Sequence, residues 1–137
     1  MPGIVGLITK RQPAEAEGEL RAMLESIRHE PFYTTGTWMD ASAGIYVGWV
    51  ARQNSFSANM PLKTESGDIT LVFSGEEFPE PGARKVPCES YLVDRYEHEG
   101  NFPRRLNGRF HGLLSDRSRQ VTGRELVVDA GATLAGA

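Results

Sequence analysis

The 137-residue chain holds a single cysteine, Cys88. One thiol cannot close an internal disulfide, so no disulfide framework holds the fold, and the expected compartment is the reducing cytoplasm. Histidine is nearly as scarce. His29, His98 and His111 share no ligand spacing, so no metal site is expected. An excess of basic residues is also missing. Lys and Arg number 15 against 18 Asp and Glu, giving a net charge of −3, and they are scattered. That excludes the clustered basic face by which domains grip nucleic acid. No apolar run approaches the ~20 residues that cross a bilayer, so no membrane span is expected. Residues 4–8 are too short for the core of a secretion signal, and no basic stretch precedes them. Repeats and low-complexity segments are absent too. What is present is 39% apolar and 24% charged residues, the composition of a soluble globular protein, in a length that fits one domain over 1–137.

The chain opens MPGIVGL, an apolar start where most termini are polar and frayed. Residues 2–9 read as a buried strand rich in β-branched side chains, ended by KRQP. In AEAEGELRAMLESIRHE, Ala16, Leu20, Met23, Leu24 and Ile27 recur on one helical face. Glu15, Glu17, Arg21 and Glu25 fall on the other. This predicts a helix over 13–28, with Pro13 in the first turn, where its missing N–H is not needed. PFYTTGTWMD and AGIYVGWVAR, separated by DASAG, predict a strand pair. Trp38 and Trp49 fall on these neighbouring strands and read as core or interface residues. QNSFSANMPLKTESGD reads as mostly loop. ITLVFSG is the next strand, with Gly75 as its stop. EEFPEPGARKVP is a proline-rich connection. CESYLVDRYEHEG predicts a short helix with Tyr91, Leu92, Val93 and Tyr96 inward and Gly100 at C′. His29 and His98 fall at helix ends, where a cation suits the dipole. LNGRFHGLLSDRSR places a turn at Asn107-Gly108 and a strand over 109–115, and RELVVDAG is the last strand. Most neighbouring strands lack a crossover helix between them, which predicts an α+β fold with mainly antiparallel pairing.

Three of these stretches carry a likeness. MPGIVGL is similar, with one change, to a Met-Cys-Gly-Ile-x-Gly opening. LVFSGEEF resembles an apolar strand ending Asn-Gly-Glu. YLVDRYEHEGNFPRRLNGRFHGLLSDRSR resembles a helix ending Glu-x-x-Gly, followed by Leu-Asn-Gly-x-Phe and a strand into Asp-Arg. In this order they resemble the class II glutamine amidotransferases, and specifically the glutaminase domain of asparagine synthetase, over about residues 1–119. The resemblance implies an N-terminal-nucleophile-hydrolase-like layered sandwich of mainly antiparallel sheets with flanking helices, shortened at the C-terminus. In 120–137, Asp129 and Gly131 fall where that family has an Asp-Arg-x-Gly turn. The same tail is also similar to the closing strand of short-chain dehydrogenases, but no nucleotide-binding motif precedes it.

In that family the initiator Met is removed to expose a cysteine. Its thiol attacks the glutamine side-chain amide, and its α-amino group shuttles the proton. Here the position is Pro2, whose side chain has no heteroatom. Loss of a covalent nucleophile removes ~10⁶ in turnover. Ser74 stands at the oxyanion-hole Asn, and one lost donor there costs ~10²–10³ in rate. Gly75, the backbone donor, and Glu76 are kept. Cys88, with Glu89 beside it, replaces the Asp that grips the glutamine α-amino group, and Arg52 is the candidate for the Arg that holds its carboxylate. The resemblance thus implies degenerate catalytic positions at Pro2, Ser74 and Gly75. It implies a weak glutamine or amide site drawn from Arg52, Ser74, Gly75, Glu76, Cys88 and Glu89, with no cofactor. Pro2 as a reactive terminal secondary amine is set aside for lack of a polar partner set, and Cys88 as a reactive helix-start thiol because most lone cysteines are inert packing residues. Two functions follow. One is a non-catalytic module that binds a protein partner, a synthetase-type chain or a second copy, through an open sheet edge left by missing downstream strands. The other is a component of an asparagine synthetase-like enzyme working with a separate synthetase chain.

Overall fold

The computed structural model describes residues 3–78, 82, 90–99, 102, 104, 106–117 and, as backbone, 126–130. The chain divides into two compact units, Met1–Met60 and Pro61–Ala137. The α+β expectation holds: each unit is an antiparallel sheet with one helix.

The first unit contains β1 (Gly3–Ile8), α1 (Pro13–Ile27), β2 (Tyr33–Asp40) and β3 (Ile45–Arg52). Its sheet runs β1-β3-β2, so β3 is central and β1 lies at an edge. Four residues join β2 to β3. Asp40 Oδ1 holds that turn, accepting from Ser42 Oγ at 2.6 Å and from the Ala43 N–H at 3.3 Å, the local side-chain bond that makes Asp a turn residue. α1 begins on Pro13, as its sequence predicts. Its buried stripe of Ala16, Leu20 and Leu24 lies on the sheet, with Ala16 and Leu20 against Val5, Leu7 and Tyr46. Met23 and Ile27 are half-buried at the margins of the stripe. Two glycines make room for these layers. A Cβ on Gly48 would lie 2.7 Å from Leu24 Cδ1, and one on Gly36 would collide with the Trp49 ring. Trp49 is accordingly buried, and Trp38 half-buried.

The second unit contains β4 (Leu62–Lys63), β5 (Ile69–Glu77), α2 (Tyr91–His98), β6 (Gly108–Asp116) and β7 (Leu126–Ala130), in sheet order β4-β5-β6-β7. β4 is a two-residue strand inside the stretch expected to be loop. It pairs with β5 through a short hairpin. Along β5 and β6, Phe73 lies opposite Gly112 and Phe110 opposite Gly75. The two rings stack at 5.0 Å between centroids, so each covers a bare glycine on the neighbouring strand.

α2 buries Leu92 and Val93, while Tyr91 and Tyr96 are half-buried and act through their hydroxyls. Tyr91 donates to Glu77, and Tyr96 donates to Asp116 Oδ2 at 2.7 Å. Arg95 adds an ion pair to Glu77 at 3.4 Å and another to Glu99 at 3.3 Å. Glu77 lies opposite Gly108 and Asp116 opposite Ile69, at the two ends of the β5–β6 ladder. Strand alternation puts both carboxylates on one face. The helix is therefore tied to both ends of the ladder across that face. His98 ends α2, its Nδ1 2.8 Å from the Asp94 carbonyl oxygen.

Three local expectations fail. β1 is not a buried strand, because at the edge of its sheet its residues are half-buried or exposed. Gly75 does not stop β5, which continues to Glu77. Asn107-Gly108 is not a turn, because Gly108 begins β6. Asn107 instead closes the ladder, accepting from the Phe78 N–H at 2.6 Å and donating to the Phe78 carbonyl oxygen from Nδ2 at 3.3 Å. Gly100 lies outside the described residues. Among the described residues no helix is long and apolar enough to cross a membrane.

Candidate functional site

The face of the β5–β6 ladder opposite α2 carries four cross-strand pairs: Thr70–Ser115, Val72–Leu113, Ser74–His111 and Glu76–Arg109. Alternation along each strand puts these side chains together. Burial falls along the series. Thr70, Val72, Leu113 and Ser115 are buried, as is Ser74 at 2% exposure. His111 is half-buried, and Glu76 and Arg109 are exposed. A hydroxyl, an imidazole, a carboxylate and a guanidinium thus occupy two adjacent rungs where the sheet passes from interior to solvent. No ion pair joins Glu76 to Arg109 among the described residues.

Gly75 separates the two rungs with φ +126°. Its strand passes so close to β6 that a Cβ here would collide with the Arg109 carbonyl oxygen. Only glycine adopts this backbone without strain. Ser74, Gly75 and Glu76 are therefore held by the ladder on one side and by a glycine-only conformation at their centre.

The other expected site residues are distributed differently. Arg52 ends β3 in the first unit, exposed, opposite Tyr33. It shares its strand face with Tyr46 and Gly48, the face covered by α1. Pro2, Cys88 and Glu89 lie outside the described residues. Sequence reading did not pick Arg109 and His111 as site residues. Their signal is the alternation in GRFHGLLSD, which puts Arg109, His111, Leu113 and Ser115 on one face. That signal becomes readable only once β6 is known to pair with β5.

The polar groups of the α2 face form a separate set. Glu77 and Asp116 are buried, and their hydroxyl and guanidinium partners tie the helix down. Among the described residues no three His, Cys, Asp or Glu side chains group as metal ligands. Compared with known protein families and with curated proteins, the chain matches none.

Proposed function

We propose that the chain is a cytoplasmic glutaminase-like module of the asparagine synthetase type, with an N-terminal-nucleophile-hydrolase-like fold. It lacks cysteine-dependent glutamine hydrolysis and works by binding a protein partner, a synthetase-type chain or a second copy of itself. The observation that carries this reading is the segment Ser74-Gly75-Glu76. It keeps the glycine of the family-like Asn-Gly-Glu stretch, in a conformation with φ +126° that only glycine accepts. It loses the carboxamide beside that glycine to a serine. A scaffold retained around altered chemical groups fits a domain that has outlived its reaction. The placement of the three family-like stretches on β1, on β5, and on α2 with β6 supports the same reading.

Pro2 gives the chemical reason. A pyrrolidine ring offers no thiol to attack an amide carbonyl, and nothing else at that position can form the acyl intermediate. The proposed partner role rests on β1, an edge strand of its sheet among the described residues, whose Ile8 is 70% exposed. Unpaired strand edges beside apolar side chains are surfaces that other chains add to.

The test is a glutaminase assay on the purified chain, together with the mass of its N-terminus. No glutamate release is expected, whether Met1 is retained or removed. Steady release overturns the reading. The variant Pro2→Cys is expected to stay inactive, because Ser74 and Cys88 also depart from the family pattern. Recovered glutaminase activity in that variant would show an intact site and reject the degenerate assignment.

A further inference from the structure

β2 pairs with β3, and among the described residues no strand lies beyond it. The backbone groups that β2 turns outward follow from the bonding of β3. The Thr9 N–H donates to the Gly44 carbonyl oxygen, one step past the last β1–β3 pair. Bonded positions alternate along an antiparallel ladder, so Tyr46, Gly48 and Val50 bond toward β1 and the odd-numbered residues of β3 toward β2. Those odd-numbered residues lie opposite Thr34, Gly36, Trp38 and Asp40. The N–H and C=O groups of Tyr33, Thr35, Thr37 and Met39 therefore point away from β3. The Tyr33 N–H fits that direction, since it donates to the Glu30 carbonyl oxygen at 3.2 Å.

This edge lacks the usual guards. Proteins blunt open edges with lysine, proline, bulges or very short strands. β2 runs for eight residues in unbroken register, with no lysine and no proline. Its one charged residue, Asp40, is buried and taken up by the turn to β3. Thr35 and Thr37 are exposed. Apolar exposure sits at the two ends of the strand. At one end Phe32 is 58% exposed, its ring 4.8 Å from that of Tyr33 between centroids. At the other end Met39 is 40% exposed. Within one chain an extended strand holds these ends apart. A second copy turned end for end brings them together.

We propose that β2 pairs antiparallel with β2 of a second copy, about a two-fold axis through Gly36. Thr35 then lies opposite Thr37 of the second copy, and Tyr33 opposite its Met39. The outward groups of Thr35 and Thr37 exchange N–H···O=C bonds across the axis, and Met39 donates to the Tyr33 carbonyl oxygen. Each Met39 is carried onto a Phe32–Tyr33 ring pair, a sulfur–aromatic contact made at both ends of the joint. Threonine meets threonine, and no charge meets its like. A two-fold contact closes on itself, so assembly stops at the dimer. The joint lies on the sheet edge opposite β1 and leaves β1 open. It does not depend on the module reading, which concerns the lost cysteine reaction and a protein partner at β1.

Analytical ultracentrifugation of the full chain across the micromolar range tests the joint. A dimer is expected. Thr37→Pro removes an outward N–H and no bond to β3, the kind of edge position where a strand accepts proline. It is expected to raise the dissociation constant by about tenfold or more, the scale of the two hydrogen bonds lost across the axis. Two charge variants read the register without proline. Thr35→Lys/Thr37→Lys sets lysine against lysine across the axis and weakens the dimer. Thr35→Lys/Thr37→Glu sets lysine against glutamate and restores most of the affinity. Circular dichroism confirms that the variants stay folded. A chain that stays monomeric overturns the proposal and leaves this edge to some other strand. A dimer indifferent to a folded Thr37→Pro variant overturns it as well. Equal weakening by the two charge variants overturns the pairing centred on Gly36. The module reading would survive each of those results, since it is decided by the glutaminase assay.

Discussion

Gly75 and Gly67 both have positive φ, +126° and +76°, yet their surroundings differ. A Cβ on Gly67 meets nothing within 4 Å, whereas one on Gly75 runs into the backbone of β6. Gly67→Ala therefore carries only the conformational penalty, a loss of about 1 kcal/mol. Gly75→Ala carries strain of ~1–3 kcal/mol plus a displacement of paired strands, so about 3 kcal/mol or more is expected. Urea unfolding of the two variants separates them. Equal losses would mean that the close approach of β5 and β6 at Gly75 is not a constraint. This residue also shows where sequence reading fails. Gly75 looks like a strand stop, because glycine usually punctuates. Here it permits a contact between strands distant in sequence, and nothing adjacent to it in the chain signals that contact.

The two helices stand on different footings. α1 has 15 residues and a continuous apolar stripe, so its position was readable from spacing alone. Gly18 lies on its solvent side with open space around it. Gly18→Ala removes the flexibility of a mid-helix glycine and is expected to stabilise the protein by about 0.5–1 kcal/mol, seen as a raised thermal midpoint. α2 has only eight residues, shorter than the ~12–15 at which an isolated helix begins to hold in water. Its place depends on Leu92 and Val93 beneath it and on its ties to Glu77 and Asp116. Tyr96→Phe deprives the Asp116 carboxylate, 3% exposed, of one hydrogen bond while keeping the ring, and should cost about 1–3 kcal/mol in chemical denaturation. A neutral result would leave the apolar contacts and the ties to Glu77 as the anchors of α2. The tyrosines were legible as inward-facing residues, but their carboxylate partners were not. Glu77 and Asp116 sit 14 and 20 residues from their tyrosines. The polar rungs were hidden for the same reason. Ser74 was found by likeness, while His111 and Arg109 become its neighbours only through the β5–β6 register.

At the scale of the molecule, the proposed partner surface is a sheet edge that has no neighbouring strand among the described residues. Within the first unit β3 has a partner on each side, and β1 and β2 have one each among the described residues. β1 alternates half-buried positions with exposed ones toward its end, finishing on Ile8 at 70% exposure. An exposed isoleucine beside open backbone groups is costly to keep in water and useful when another strand arrives. Covering it contributes ~1.5–3 kcal/mol, which is about tenfold or more in a dissociation constant. Ile8→Lys puts a charge on that edge without disturbing the stripe of α1. It is expected to change unfolding stability by no more than about 0.5 kcal/mol, because Ile8 is a surface position. It is expected to weaken association, with a second copy or with a synthetase-type chain, by about tenfold or more in sedimentation or titration. Unchanged association in a normally stable variant would move the partner surface away from β1. A loss of stability matching the loss of association would instead make Ile8 part of the fold's own packing.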